Sequence, residues 1–127
     1  MFKGIAHITI VPSNLTRTLN FYTKILGFKI KQRRKPENAL VEEIAYIELN
    51  GLVIQFSSVK APAPVSTEQW QVGYRRIALE VEDVDKAVEY LKSRGVEISA
   101  EPVTGTNFRR AEIKDPDGLP IELIKKV

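Results

Sequence analysis

The sequence predicts an α+β fold in which two tandem βαβββ modules form a curved mixed sheet around a cleft. Three observations carry this expectation. A strand followed by an amphipathic helix occurs twice, at 7–28 and at 76–96. Each copy ends on a glycine and is followed by three strand-like stretches. Finally, the ends of the two copies align as well as their beginnings.

The first copy, HITIVPSNLTRTLNFYTKILGF, opens as an alternating strand with Ile8 and Ile10 on one side. Leu15, Leu19, Tyr22 and Leu26 then recur at helical spacing, Asn14 is placed to cap the helix, and Gly27 to end it in a left-handed residue. The strands that follow are FKIKQRR, EIAYIEL and LVIQFSS. In KIKQRRK the alternation puts Lys29, Lys31, Arg33 and Lys35 on the face opposite Phe28 and Ile30. Such a run reads as an edge strand protected by charge, with contact to an anionic group as the functional alternative. The second copy, RIALEVEDVDKAVEYLKSRGV, repeats the plan. Ile77, Leu79 and Val81 form the strand, Val84, Ala87, Val88 and Leu91 the helix face, Asp83 the cap and Gly95 the stop. VEISAEP, FRRAEIK and LPIELIK complete it.

One domain, 1–127, is therefore expected, with a first module at 1–58, a linker at 59–73 and a second module at 74–127. The linker contains Pro62 and Pro64 and reads as semi-rigid. Neither module alone offers enough buried surface, and pairing within one chain or between two chains stays open. The expected core is Ile8, Ile10, Leu19, Tyr22, Ile54, Phe56, Ile77, Leu79, Val88, Leu91, Ile121 and Leu123.

Composition narrows the function classes. The 127 residues are 43% hydrophobic, enough for a core without covalent staples. There is no cysteine, which excludes disulfides, thiolate metal sites and cysteine nucleophiles, and suits a cytoplasmic protein. No apolar run approaches the ~20 residues of a membrane span, and the N-terminus lacks a signal-peptide pattern. A net charge of +3 and a pI near 9.2 favour small anions, without the concentrated basic stripe of a nucleic-acid binder. Phosphate loops, nucleophile elbows and zinc-helix motifs are missing, so phosphoryl transfer and serine hydrolysis have no support.

Aligning NGLVIQF (50–56) with DGLPIEL (117–123) sets Gln55 opposite Glu122. Strand neighbours point to opposite faces, so Ile54, Phe56, Ile121 and Leu123 pack under the helices while Gln55 and Glu122 face away. By the same rule His7 and Arg76 point away from the helices. Four polar side chains thus share one face at repeat-related positions. Tyr46, Trp70, Phe108 and Arg110 are candidates to line the cleft or its rim. Trp70 can equally anchor the linker.

On AHITIVPSNLTRTLNFYTKILGF, RIALEVEDVDKAVEYLKSRGV and the closing DPDGLPIEL, the sequence resembles the vicinal oxygen chelate superfamily, which includes glyoxalase I, bleomycin-resistance proteins, fosfomycin-resistance enzymes, methylmalonyl-CoA epimerase and extradiol dioxygenases. The resemblance implies the fold above, a homodimer, and metal ligands on the first and last strands of each module, the positions of His7, Gln55, Arg76 and Glu122. His7 and Glu122 are proper ligands and Gln55 a weaker one; Arg76 is none, because a guanidinium stays cationic. With a single histidine, neither the two-histidine iron site of an extradiol dioxygenase nor a fosfomycin-type site can form.

Two functions follow from the resemblance. In the first, a divalent ion (Zn, Ni, Co or Mn) on His7, Gln55 and Glu122 assists a glyoxalase- or epimerase-like lyase or isomerase acting next to a carbonyl on a small anionic substrate. Glu122, Glu48 or Glu80 then moves the proton. In the second, the protein is a metal-free, bleomycin-resistance-like binder that sequesters a small molecule, with Arg76, Gln55 and the aromatic residues supplying recognition. An ion pair between Arg76 and Glu122 is the expectation without metal, because it avoids an unpaired acid in a strand otherwise built for burial.

Overall fold

Both helices start where a side chain can replace the missing backbone acceptor. Asn14 Oδ1 accepts from the Arg17 amide at 3.0 Å, and Asp83 Oδ1 from the Lys86 amide at 3.0 Å. Both stop at a glycine with left-handed φ, Gly27 at 89° and Gly95 at 75°. The computed structural model describes all residues, Met1–Val127, and divides them into two compact units, Met1–Pro64 and Val65–Val127.

The first unit comprises β1 (Ile8–Ile10), α1 (Leu15–Asn20), a π-helical turn (Phe21–Ile25), β2 (Lys29–Arg34), β3 (Val41–Leu49) and β4 (Leu52–Val59). The second comprises β5 (Ile77–Glu80), α2 (Val84–Ser93), β6 (Ile98–Thr104), β7 (Phe108–Lys114) and β8 (Pro120–Lys126). Each carries a four-stranded mixed sheet, ordered β1-β4-β3-β2 and β5-β8-β7-β6. In both, the first strand runs parallel to the last and the other pairings are antiparallel. The register repeats too: Ile8 pairs with Ile54 as Ile77 pairs with Ile121. This is the expected α+β plan, strand for strand. No helix is long and apolar enough to cross a membrane.

The β3–β4 hairpin closes on Asn50 and Gly51, whose φ of 46° and 91° suit a tight two-residue turn. The equivalent β7–β8 turn is held by buried Asp115, which accepts from the amides of Asp117 at 2.8 Å and Leu119 at 3.0 Å.

Side-chain alternation sorts the core as expected. Tyr22, Ile47, Ile54 and Phe56 are essentially fully buried in the first unit, with the Tyr22 ring 5.2 Å from that of Phe56. In the second, Val84, Val88 and Leu91 of α2 are buried, as are Ala111, Ile113, Ile121 and Leu123 of β7 and β8. Each of these buried Val, Leu and Ile side chains contributes on the order of 1.5–3 kcal/mol by leaving water. Ile8, Ile10 and Ile77 are half-buried, because β1 and β5 are short edge strands with one paired side.

Two local expectations need correction. The first helix does not run regularly to Leu26: the Leu26 amide donates to Phe21 O, five residues back, while the Thr23 hydroxyl occupies Leu19 O at 2.6 Å. The wider turn lets the adjacent Phe21 and Tyr22 both be buried. In β2 a bulge between Ile30 and Gln32 breaks the alternation. Arg33 consequently pairs with Ala45, on the buried side of β3, and forms a bidentate ion pair with Glu43 instead of sharing a face with Lys29.

Candidate functional site

In the second unit, burying Ala111 and Ile113 of β7 turns Phe108, Arg110, Glu112 and Lys114 to the opposite face. Burying Ile121 and Leu123 turns Glu122 to that face as well, and the register sets Glu112 directly beside Glu122. Two carboxylates at adjacent cross-strand positions repel, so the arrangement requires cations. Arg76 supplies the first. It lies two residues before Ala78, the partner of Glu122, and donates through Nη1 to Glu112 Oε2 at 2.5 Å and through Nη2 to Glu122 Oε2 at 2.7 Å. Arg110 Nε donates to the same Glu122 oxygen at 2.7 Å, and Ser99 Oγ to Glu112 Oε1 at 2.8 Å.

Glu112 is 7% exposed. Burial works against its ionisation, but the hydrogen bonds from Ser99 and Arg76 and the charges of Arg76 and Lys114 outweigh it and hold the carboxyl below its ordinary range. Two further cations approach it less closely, Arg75 Nη2 at 3.6 Å and Lys114 Nζ at 4.0 Å. The Arg75 guanidinium lies 5.5 Å from the Trp70 ring centre. A cavity of about 570 Å³ opens beside this group, walled by Arg75, Lys114, Ser99 and Glu112 together with the 65–69 segment and the 118–120 turn.

The equivalent face of the first unit is neutral and aromatic. Tyr46 pairs with Gln55 as Glu112 pairs with Glu122. Where Arg76 grips Glu112, the exposed His7 ring meets Tyr46 edge-on, with centroids 5.9 Å apart. Gln55 Nε2 donates to Ser57 Oγ at 3.1 Å, and Thr9, beside His7 on the same face, pairs with Gln55.

Within each unit the repeat-related polar residues therefore do share a face. Arg76, Arg110 and Glu122 come into direct contact, including the expected Arg76–Glu122 ion pair; His7 and Tyr46 also meet. Glu80 is exposed on the same face of the second sheet, paired with Ile124, and Glu48 lies 3.6 Å from Lys31 in the first. Phe108 is half-buried against Gly105, where an added Cβ would fall 2.2 Å from the ring. Trp70 is 81% exposed and holds Arg75.

Sequence reasoning missed Glu112 and Arg75. For Glu112 a signal was present: Ala45-Tyr46-Ile47 and Ala111-Glu112-Ile113 occupy equivalent stretches of the third strand of each module, with one outward residue between two inward ones. Arg75 precedes β5, outside any periodic segment, and nothing in the pattern marks it.

On the second unit, Glu122 does not fit a resident divalent ion as it stands, because its Oε2 already accepts from two guanidinium groups. At about 5 Å and an effective dielectric of about 20, each guanidinium opposes a divalent ion by roughly 6 kcal/mol before screening.

The comparison with known proteins agrees with this architecture. The model of the Glyoxalase/Bleomycin resistance protein/Dioxygenase superfamily matches residues 4–123, and the chain belongs to that superfamily. It is 34% identical to the uncharacterised protein YwkD of Bacillus subtilis (strain 168), over 99% of either chain. It is 28% identical to the lactoylglutathione lyase of Escherichia coli O157:H7, over 96% of this chain and 92% of that protein. The crystal structure of the glyoxalase family protein from Enterococcus faecalis superimposes with a TM-score of 0.82 at 26% identity, covering 98% of each chain. Members of this superfamily bind small-molecule substrates, commonly with a divalent metal and commonly as dimers.

Proposed function

We propose that the protein is a glyoxalase-like lyase or isomerase acting next to a carbonyl on a small anionic molecule, and that arginine takes over on the second unit the electrostatic role that a metal has in relatives. The observation that carries this reading is Arg76 bridging Glu112 and Glu122 while Arg110 holds Glu122. Both contacts to Glu122 fall on Oε2, so Oε1 is the oxygen available to take a proton from the carbon beside the carbonyl. Glu80 on the same face is the alternative base, and Glu48 serves that role if the substrate lies against the first unit. The electron pair left on carbon moves to the carbonyl oxygen as an enolate, which a guanidinium stabilises by charge-assisted hydrogen bonds. Where the deprotonated carbon bears a hydroxyl, that hydroxyl passes its proton to the former carbonyl oxygen and becomes the new carbonyl, while the proton held by the glutamate is delivered to the former carbonyl carbon, which completes an isomerisation.

A second reading keeps Zn, Ni, Co or Mn on His7, Gln55 and Glu122, and the similarity to a lactoylglutathione lyase favours it. Elemental analysis and thermal melts with these four ions separate the two. The parent is expected to carry no stoichiometric metal and to gain no stability from the ions, whereas Arg76→His, which removes one guanidinium and adds an imidazole, is expected to bind Zn or Ni about tenfold more tightly than the parent, a change of about 1.4 kcal/mol. Tight metal binding by the parent establishes the second reading. Ligand binding without turnover of any α-carbonyl substrate reduces the protein to a sequestering, bleomycin-resistance-like role.

A further inference from the structure

We propose that the cavity beside Glu112 is an oxyanion site in which Arg75 and Lys114 hold the carboxylate or phosphate group of a small ligand. The inference rests on the reading above that this protein takes an anionic molecule, and it deepens that reading by assigning the anionic group to two residues and one cavity. Charge bookkeeping on the face leads to it. Glu112 and Glu122 carry two negative charges, and Arg76 and Arg110 neutralise them in direct hydrogen bonds of 2.5–2.7 Å. Both Glu112 oxygens are engaged, Oε2 by Arg76 and Oε1 by Ser99.

Arg75 and Lys114 are therefore two cations in excess. They stand 3.6 and 4.0 Å from a carboxylate that is already satisfied, too far for a hydrogen bond. Arg75 is nonetheless held in place: its guanidinium lies over Trp70, and its Nε is buried without a partner. Two positive groups kept close together repel, and an oxyanion between them converts that repulsion into attraction. Both line the same cavity of about 570 Å³, a size that suits a small molecule. Glu68 is the one other acid lining the cavity, and it lowers the excess without cancelling it. Glu80 shares the sheet face but does not line the cavity. All of these residues belong to the second unit.

Isothermal titration of the full chain at low ionic strength tests the assignment, with inorganic phosphate, phenyl phosphate and benzoate as probes and benzamide as the neutral counterpart of benzoate. At least one oxyanion is expected to bind, with benzamide at least tenfold weaker than benzoate if the carboxylate is the preferred group. Phosphate against benzoate shows which oxyanion the cavity prefers. Arg75→Gln and Lys114→Gln should each weaken binding about fivefold or more, Arg75→Lys should restore part of the loss, and Glu68→Gln should strengthen binding two- to fivefold. Arg33→Gln, whose guanidinium serves Glu43 in the first unit, is the control and should change nothing. Oxyanion binding that ignores both Arg75→Gln and Lys114→Gln overturns this assignment while leaving an anionic substrate in place. Failure of every oxyanion to bind the parent at millimolar concentration overturns it as well, and the metal titrations above judge the metal-free reading independently.

Discussion

Glu112 is the residue on which most of the second unit's electrostatics converge, and its replacement has a calculable sign. Glu112→Gln keeps the shape but removes the charge that Arg76, Arg75 and Lys114 surround, leaving three cations in mutual repulsion around a neutral amide. We expect a loss of about 1–3 kcal/mol in unfolding free energy at pH 7, measured by denaturant titration. Because folding depresses the Glu112 pKa, its contribution is present above the ordinary value of 4.5 and disappears as the pH falls through the lower folded value. The gap between parent and Glu112→Gln should therefore be full at neutral pH and close in acid. A gap that is the same at pH 3 and pH 7 would assign the effect to packing.

Capping decides where the two helices begin, so the caps can be weighed against each other. Asn14→Ala and Asp83→Ala each remove one side-chain acceptor from an otherwise unpaired amide, at a cost of about 1 kcal/mol. Asp83 also places a negative charge at a helix N-terminus, which adds a few tenths more and is screened by salt. Asp83→Ala is thus expected to be the more damaging of the two in low salt, with the difference shrinking at 1 M NaCl; equal losses at both salt concentrations would remove the dipole term. The bulge in β2 and the π-helical turn after α1 were not legible in the sequence. In one case backbone register overrode an unbroken charge alternation, and in the other a threonine hydroxyl took the carbonyl that a regular turn needs.

At the scale of the whole molecule, each unit spans about half the chain and owns a separate sheet and core. A domain of about 60 residues buries only about 60% of the surface of its unfolded chain and is marginal on its own. Residues 1–64 and 65–127 expressed separately are accordingly expected to melt broadly or to be unfolded; a sharp cooperative melt of either half, followed by circular dichroism, would show that the unit folds alone. We further expect a homodimer in solution; light scattering on a sizing column should return twice the chain mass, and the mass of one chain would refute it.

The repeat, the alternation, the caps and the glycine stops were legible in the sequence, because these depend on residues within a few positions of one another. So was the side of each strand that Gln55, Glu122, His7 and Arg76 face, since strand geometry has a fixed period of two. That Glu112 stands beside Glu122, that one guanidinium spans both, and that Arg75 and Lys114 are left over around a cavity emerged only from the folded chain. Those facts depend on the register between β7 and β8 and on the path of the chain before β5, which bring together residues as far apart in sequence as Arg76 and Glu122 and which no local pattern encodes.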